Sequence, residues 1–251
     1  ISTGSQYSSL KGFKKAIQIS SGDYLAKCYD RLKKSKNILI IGGGFTGVEL
    51  AGEITTKYPD KNLTITDTKR LMPRMDQNAG DYAKKFLKKR NVQIILNEKI
   101  IKSSKNLFET DKKTRILADL IFVCTGMKSN TKILEKNFSE FLERDGLIKV
   151  NSYLQLIGNP NIFAAGDITD INEEKTAQNA EKHAGIIVKN IKNLEKNREL
   201  EEYKSKPRIL VVSLGKYNGI FICKNFVFSG FIVGMIKTLI EKYIIFKYKF
   251  L

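Results

Sequence analysis

The chain has 251 residues and is 42% hydrophobic, enough for one large domain or two smaller ones built on a real core. Lysine and arginine number 44 against 26 acidic residues, a formal charge of +18, yet the lysines fall in scattered pairs such as Lys14-Lys15, Lys33-Lys34 and Lys112-Lys113. That scatter excludes a dedicated basic tail for nucleic acid and leaves a solvated surface with a general attraction to phosphates and anionic lipid. Cys28, Cys124 and Cys223 form no C-x-x-C, which excludes a zinc knuckle or local redox dithiol built from neighbours, and three thiols do not suggest a disulfide-stapled secreted fold; no metal site is expected.

The chain opens on ISTGSQYSS with no Met, no signal-peptide pattern and no apolar run of about twenty residues. We expect an N-terminal part of a longer protein ahead of Ile1. Leu25, Cys28 and Leu32 share one face and predict a helix over 22–34. Residues 38–52 read ILIIGGGFTGVELAG. Four apolar residues make a buried strand, Gly42, Gly44 and Gly47 fall on the G-x-G-x-x-G spacing, and Val48, Leu50 and Ala51 open a helix that Pro59-Asp60 stops after Tyr58. A second strand over 63–66 ends in Asp67. A helix near 78–89, a strand over 92–96, a meander over 99–117 and a buried strand over 118–124 follow, leading into Thr125-Gly126. Strands alternating with helices imply a doubly wound parallel sheet. Beyond it, short strands are expected over 148–150 and 153–156, then 161–166 (NIFAAG) ending at Asp167. A helix over 176–190 carries Ala177, Ala180, Ala184 and Ile187 on one face, a polar stretch fills 193–206, and an apolar section begins at Ile209.

The glycine turn carries the chemistry. Gly42 allows a sharp bend, Gly44 leaves room for phosphates, and Gly47 lets helix and strand pack closely, so the turn 42–47 (with Gly43, Phe45 and Thr46) offers helix N–H groups to a dinucleotide diphosphate. Asp67 stands where a carboxylate accepts hydrogen bonds from a ribose 2′-OH and repels a 2′-phosphate, favouring NADH over NADPH. Lys69 and Arg70 are close enough to hold a 2′-phosphate. The plainer alternative makes the loop structural and Asp67 a solvated strand end. Asp167 has the plainer alternative of a helix cap, and Glu49 that of a carboxylate favoured by the helix dipole. His183, the sole histidine, reads as structural. Asn137-Phe138-Ser139 fits a glycosylation sequon with nothing else to suggest secretion. Residues 226–236 are apolar, and 237–251 interleave Lys237, Glu241, Lys242, Lys247 and Lys249 with apolar residues. This is too broken to span a bilayer but suits a helix lying on a membrane surface, or one packed on the body of the protein.

In this order, the landmarks resemble the two-dinucleotide-binding-domain flavoproteins, the pyridine-nucleotide-dependent FAD oxidoreductases. Ile1-Ser2-Thr3-Gly4-Ser5 resembles the segment that passes from the FAD domain to the NAD domain, with Ser2 where the family has Ala. The glycine turn with Glu49 resembles the NAD fingerprint. Residues 118–121 through Thr125-Gly126 and Asn130-Thr131 resemble the return to the FAD domain, and 161–170 resemble the second FAD motif. Val212-Ser213-Leu214-Gly215 with Gly219 is most similar to the apoptosis-inducing-factor-like branch, near the type II NADH:quinone oxidoreductases. The resemblance implies NAD(P)H contacts from Gly42, Gly43, Gly44, Phe45, Thr46, Gly47, Glu49, Asp67, Thr125 and Gly126, with Glu49 near the nicotinamide. It implies FAD contacts from Thr3, Gly4, Gly166, Asp167, Thr176 and Ala177. No catalytic residue is certain; Glu49 and Lys175 are the candidates.

The family's first glycine fingerprint, which holds the ADP part of FAD, would precede Ile1. Its absence predicts an exposed apolar surface. The cysteine pair of the thioredoxin-reductase type, which would lie inside the NAD domain, is not there; the glutathione-reductase type would lie ahead of Ile1, and no histidine follows His183 for the C-terminal His-Glu pair.

The expected organisation is 1–34 as part of an FAD domain, 35–128 as the NAD(P)H domain, 129–206 as the returning FAD segment, and 207–251 as an interface or membrane-contact segment. The implied activity is hydride transfer from NAD(P)H through FAD to a quinone. A DNA- or partner-binding flavoprotein and a ferredoxin-type reductase are the alternatives. The expected location is cytoplasmic with peripheral membrane contact, with the mitochondrion as the alternative.

Overall fold

The computed structural model describes residues 1–7, 16–17, 22–136, 138–143, 145–205, 209–223 and 226–249. The side chain of Leu25 and the sequon residue Asn137 lie outside the described residues. The chain divides into two compact units, one of Ile1–Tyr7 with Met127–Arg208, the other of Ser8–Gly126 with Ile209–Leu251.

The second unit is built on a five-stranded sheet. From edge to edge its strands are Ala16–Ile17, Leu120–Val123, Asn37–Ile41, Asn62–Asp67 and Gln93–Leu96, and all are parallel. Residues 38–41 are all buried because both faces of the sheet are covered, so the strand reads as an unbroken apolar run instead of an alternation. On one face Ile38, Ile40 and Ile65 join Val48 and Ala51 of helix Phe45–Lys57 and Ala83 and Leu87 of helix Gln77–Lys88 in one core. On the other, Leu39, Ile41 and Ile121 meet Phe108 and Ile116. These two belong to the antiparallel meander Ile100–Ser104, Leu107–Thr110, Arg115–Leu117 that the sequence predicts.

Strand Ala16–Ile17, where Ala16 pairs with Ile121, and residues 22–34 fall in this unit. The C-terminal section belongs to this same unit. It forms an antiparallel sheet, Ile209–Ser213, Gly219–Cys223 and Phe226–Gly230, then helix Phe231–Lys249. Val212, Leu214, Ile220 and Ile222 enter the same core as the nucleotide strands. The apolar run 226–236 is thus half strand and half helix, divided at Gly230 (φ 130°).

In the first unit, Ser5–Tyr7 pairs with Met127–Ser129 and Gln155–Leu156 with Asn159–Phe163. The strand expected over 148–150 is reduced to single bridges at Ile148 and Val150. Leu134, Ile148, Leu156, Ala164 and Ile168 form a small core. Helix Ala177–Glu195 buries only His183 and Asn190. The Asn190 side chain bonds Tyr153 O and the backbone of Glu201, fixing the polar stretch along the helix.

Candidate functional site

Three glycines shape the turn after strand Asn37–Ile41, each for a different reason. Gly42 has φ 109°, and a Cβ there would lie 2.3 Å from the Cys124 carbonyl oxygen. A Cβ on Gly47 would lie 1.9 Å from the Gly42 oxygen. Both positions exclude a side chain on packing grounds. Gly44 does not: its φ of −65° suits any residue, and a Cβ would meet nothing within 4 Å. Gly44 is also the N-cap of helix Phe45–Lys57, and no side chain caps that helix. The first N–H groups of a helix have no intrahelical acceptor. Bare N–H groups beside open space fit a diphosphate, which supplies both the missing acceptors and the charge the helix dipole favours.

The Asp67 carboxylate locks this turn. Gly43 N–H donates to Oδ2 at 2.7 Å and Lys69 N–H to Oδ1 at 2.8 Å. Each oxygen keeps a further lone pair for a ribose hydroxyl. The Arg70 guanidinium donates to Leu71 O and Met75 O, within its own loop, which ties two of its five donors down beside the turn. Thr125 and Gly126 are exposed and stand beside Gly42, with Thr125 N 3.0 Å from the place of a Gly42 Cβ.

Glu49 is more committed than the sequence suggests. Its Oε1 accepts from Ser213 N–H at 2.9 Å and from Lys237 Nζ at 2.8 Å. Ser213 Oγ also donates to Glu53. Ser213 and Lys237 were not singled out as partners of Glu49 by sequence reasoning. The one available signal was a lone lysine in the apolar run 231–240. The Cys124 thiol beside the turn is pushed up to about 11 by burial and is neutral at physiological pH. Cys28, Cys124 and Cys223 are free, and no cluster of His, Cys, Asp or Glu suited to a metal occurs among the described residues.

In the first unit, Gly166 has φ 79° and opens a short turn, Gly166–Ile168. Asp167 Oδ2 accepts from Ser5 Oγ at 2.6 Å, which brings the first and last of the FAD-motif segments together. Gly4 has φ 67° with open space around it, and Thr3 Oγ1 donates to Asn130 O. Thr176 caps helix Ala177–Glu195 by accepting from Asn179 N–H. Lys175 Nζ donates to Thr169 O and Ile171 O. Burial lowers its pKa, opposed by Glu173, Asp167 and Asp170. The ammonium thus clamps a loop, a structural task the sequence did not suggest. Along the helix, Ile1, Phe163, Ala165, Ala184, Ile187 and Val188 line an open cavity of 490 Å³, and Val188 and Ile191 are exposed. The acidic turn beside an apolar groove fits one end of FAD.

Residues 1–184 match the family model described as pyridine nucleotide-disulphide oxidoreductase. The chain is 35% identical to apoptosis-inducing factor homolog B of Dictyostelium discoideum over 280 residues, covering 97% of this chain and 72% of that one. It is 32% identical to human ferroptosis suppressor protein 1 over 248 residues, covering 90% of this chain and 63% of that one. The water-forming NADH oxidase of Lactobacillus brevis, solved with NADH bound, shares the fold with a TM-score of 0.74 at 24% identity, over 88% of this chain and 51% of that one. With the match covering most of its length, the chain belongs to the pyridine nucleotide-disulphide oxidoreductase family, whose members are FAD-dependent NAD(P)H oxidoreductases.

Proposed function

We propose that this chain is the pyridine-nucleotide-binding part, with a portion of the flavin site, of an oxidoreductase that passes hydride from NADH through FAD to a quinone-like acceptor. One observation carries the nucleotide half of this reading. The single turn glycine with no packing reason to be glycine, Gly44, stands at an uncapped helix start beside a carboxylate-locked loop. When bound, FAD supplies a ring that accepts hydride and releases electrons singly or in pairs. The protein's residues bind and orient. The turn 42–47 takes the nucleotide diphosphate, Asp67 takes the adenine ribose and disfavours a 2′-phosphate, and Lys237 and Ser213 fix the Glu49 carboxylate. In the first unit Asp167, held by Ser5, and Gly166 take the flavin's polar chain. The Cys124 thiol takes no part, since hydride transfer needs no thiolate and burial keeps this one protonated.

A lipophilic acceptor suits a protein that reaches lipid. Helix Phe231–Lys249 exposes Ile232, Met235, Leu239, Tyr243 and Phe246, and Tyr217 stacks on Phe231 with exposed Lys216 beside it. Residues 209–251 hold six lysines against one glutamate, and of the six Lys237 is paired with Glu49. No helix among the described residues is long and apolar enough to cross a membrane. We infer that this face rests on anionic lipid. The test of function is loss of NADH absorbance in the presence of FAD, with a short-chain quinone present or absent. Quinone-dependent oxidation supports the reading. Turnover only with ferredoxin or a disulfide overturns the acceptor, and no turnover together with no NADH binding overturns the whole.

A further inference from the structure

The sole histidine, His183, is 1% exposed and sits at the centre of a polar cluster that the proposed chemistry does not use. Its Nδ1 accepts the Gly166 N–H at 3.0 Å. A nitrogen that accepts carries no proton, so the neutral ring holds its proton on Nε2. Nε2 stands 2.8 Å from Glu173 Oε1, close but not aligned as a hydrogen bond. The other Glu173 oxygen accepts from Tyr203 Oη at 2.7 Å and Ser205 Oγ at 3.0 Å. The Tyr203 ring meets the imidazole edge-on, with centroids 4.4 Å apart. The cluster thus links the polar stretch 199–205, through Glu173 and His183, to the backbone of Gly166, a residue with φ 79° beside Asp167.

We propose that His183 is a positioning residue: its Nδ1 lone pair holds the Gly166–Asp167 turn in shape, and protonation of the ring releases that turn. The importance of the turn for FAD rests on the reading given under Proposed function; the hydrogen bond itself does not. An imidazolium has two donors and no acceptor, so the Gly166 N–H would face an N–H and the turn would have to shift. The groups facing the ring are Glu173, which favours its charge, Lys175 and Lys182, which oppose it, and neutral Tyr203. Burial is the largest influence and lowers the pKa below the ordinary 6.5, so the ring is neutral at physiological pH. The sign follows. A lowered pKa in the folded state means the contribution is complete above the ordinary value and is lost as pH falls through the folded value.

Three proteins separate positioning from mere packing: the wild-type chain, His183→Gln, whose side-chain carbonyl can still accept the Gly166 N–H but cannot titrate, and His183→Leu, which has no acceptor. Two readouts are followed from about pH 7.5 to about pH 5: the Gly166 amide and His183 ring nitrogens by NMR, and FAD affinity by flavin fluorescence. The wild type should show an Nε2–H tautomer and a Gly166 amide that moves as the ring titrates, with FAD affinity falling roughly three- to tenfold. H183Q should keep the amide position and lose the pH dependence, while H183L should bind FAD more weakly across the range. An Nδ1–H tautomer, or a Gly166 amide that titrates alike in wild type and H183Q, overturns the proposal. An amide that titrates as expected in a chain that ignores FAD at every pH upholds the role of His183 and overturns the FAD reading of the turn.

Discussion

Gly44→Ala separates a ligand cradle from a structural glycine. The backbone at 44 lies in a region open to all residues, and the added methyl group meets nothing within 4 Å. Alanine is a poorer N-cap than glycine by up to about 1 kcal/mol. It also restricts the unfolded chain, which returns about 0.4–1 kcal/mol. The two nearly offset, so the melting temperature should move by no more than about 2 °C in a chain of this size. On the proposed reading the same methyl group would stand where the diphosphate approaches the helix N–H groups. Displacing one charge-assisted hydrogen bond costs about 1.5–3 kcal/mol, a roughly ten- to hundredfold loss in NADH affinity. Gly47→Ala is the contrast. Its Cβ would press within 1.9 Å of the Gly42 oxygen, and overpacking against backbone costs about 1–3 kcal/mol or more, a fall of at least several degrees. Calorimetric titration with NADH and thermal unfolding of both variants decide the matter. A G44A protein that melts normally and binds NADH as the wild type does would refute the cradle.

Other outcomes follow from the same geometry. Asp67→Ala should loosen the turn by freeing the Gly43 and Lys69 N–H groups. It should lower NADH affinity about tenfold or more without creating strong NADPH binding, because Arg70 stays bonded to Leu71 and Met75; parallel titrations with the two nucleotides check both halves. Gly234→Ala places a Cβ 2.5 Å from the Tyr217 carbonyl carbon and should detach helix Phe231–Lys249, seen as faster amide exchange there while the parallel sheet stays protected. Cys124, with its thiol pushed up to about 11, should resist iodoacetamide at neutral pH and react once the chain is denatured, as mass spectrometry of the labelled peptide will report. Leu239→Glu with Tyr243→Glu should abolish flotation with vesicles containing phosphatidylglycerol. Unchanged flotation would remove the lipid contact, and loss of a dimer on the sizing column would assign the face to a second copy.

The parallel sheet and the glycine turn were legible in the sequence because local geometry dictates each residue type there. A strand covered on both faces must be apolar throughout, Gly42 must take a positive φ, and Gly47 must yield to a carbonyl oxygen. The C-terminal section was harder to read. An apolar run such as 226–236 suits a strand, a buried helix or a surface helix equally, and only the pairing of Phe226–Gly230 with Gly219–Cys223, which packs Val227 against the core, decides. Contacts between residues far apart in the chain left almost no trace. Glu49 and Lys237 meet across 188 positions, and neither residue's neighbours announce the other. His183 read as structural by its isolation, which matches its burial, yet its bond to Gly166 was invisible because the partner is a backbone N–H. The bonds of Arg70 were hidden for the same reason: its partners are carbonyl groups of its own loop.

The proposed grip of the turn 42–47 and Asp67 on an adenine dinucleotide is tested most directly by a titration of the isotopically labelled chain with NADH, followed residue by residue through the backbone amides. The amides of Gly43, Gly44, Thr46 and Asp67 should shift together and saturate, while those of the hairpin tip around Lys105 stay in place. Amides of the turn that remain still at saturating NADH would contradict the account.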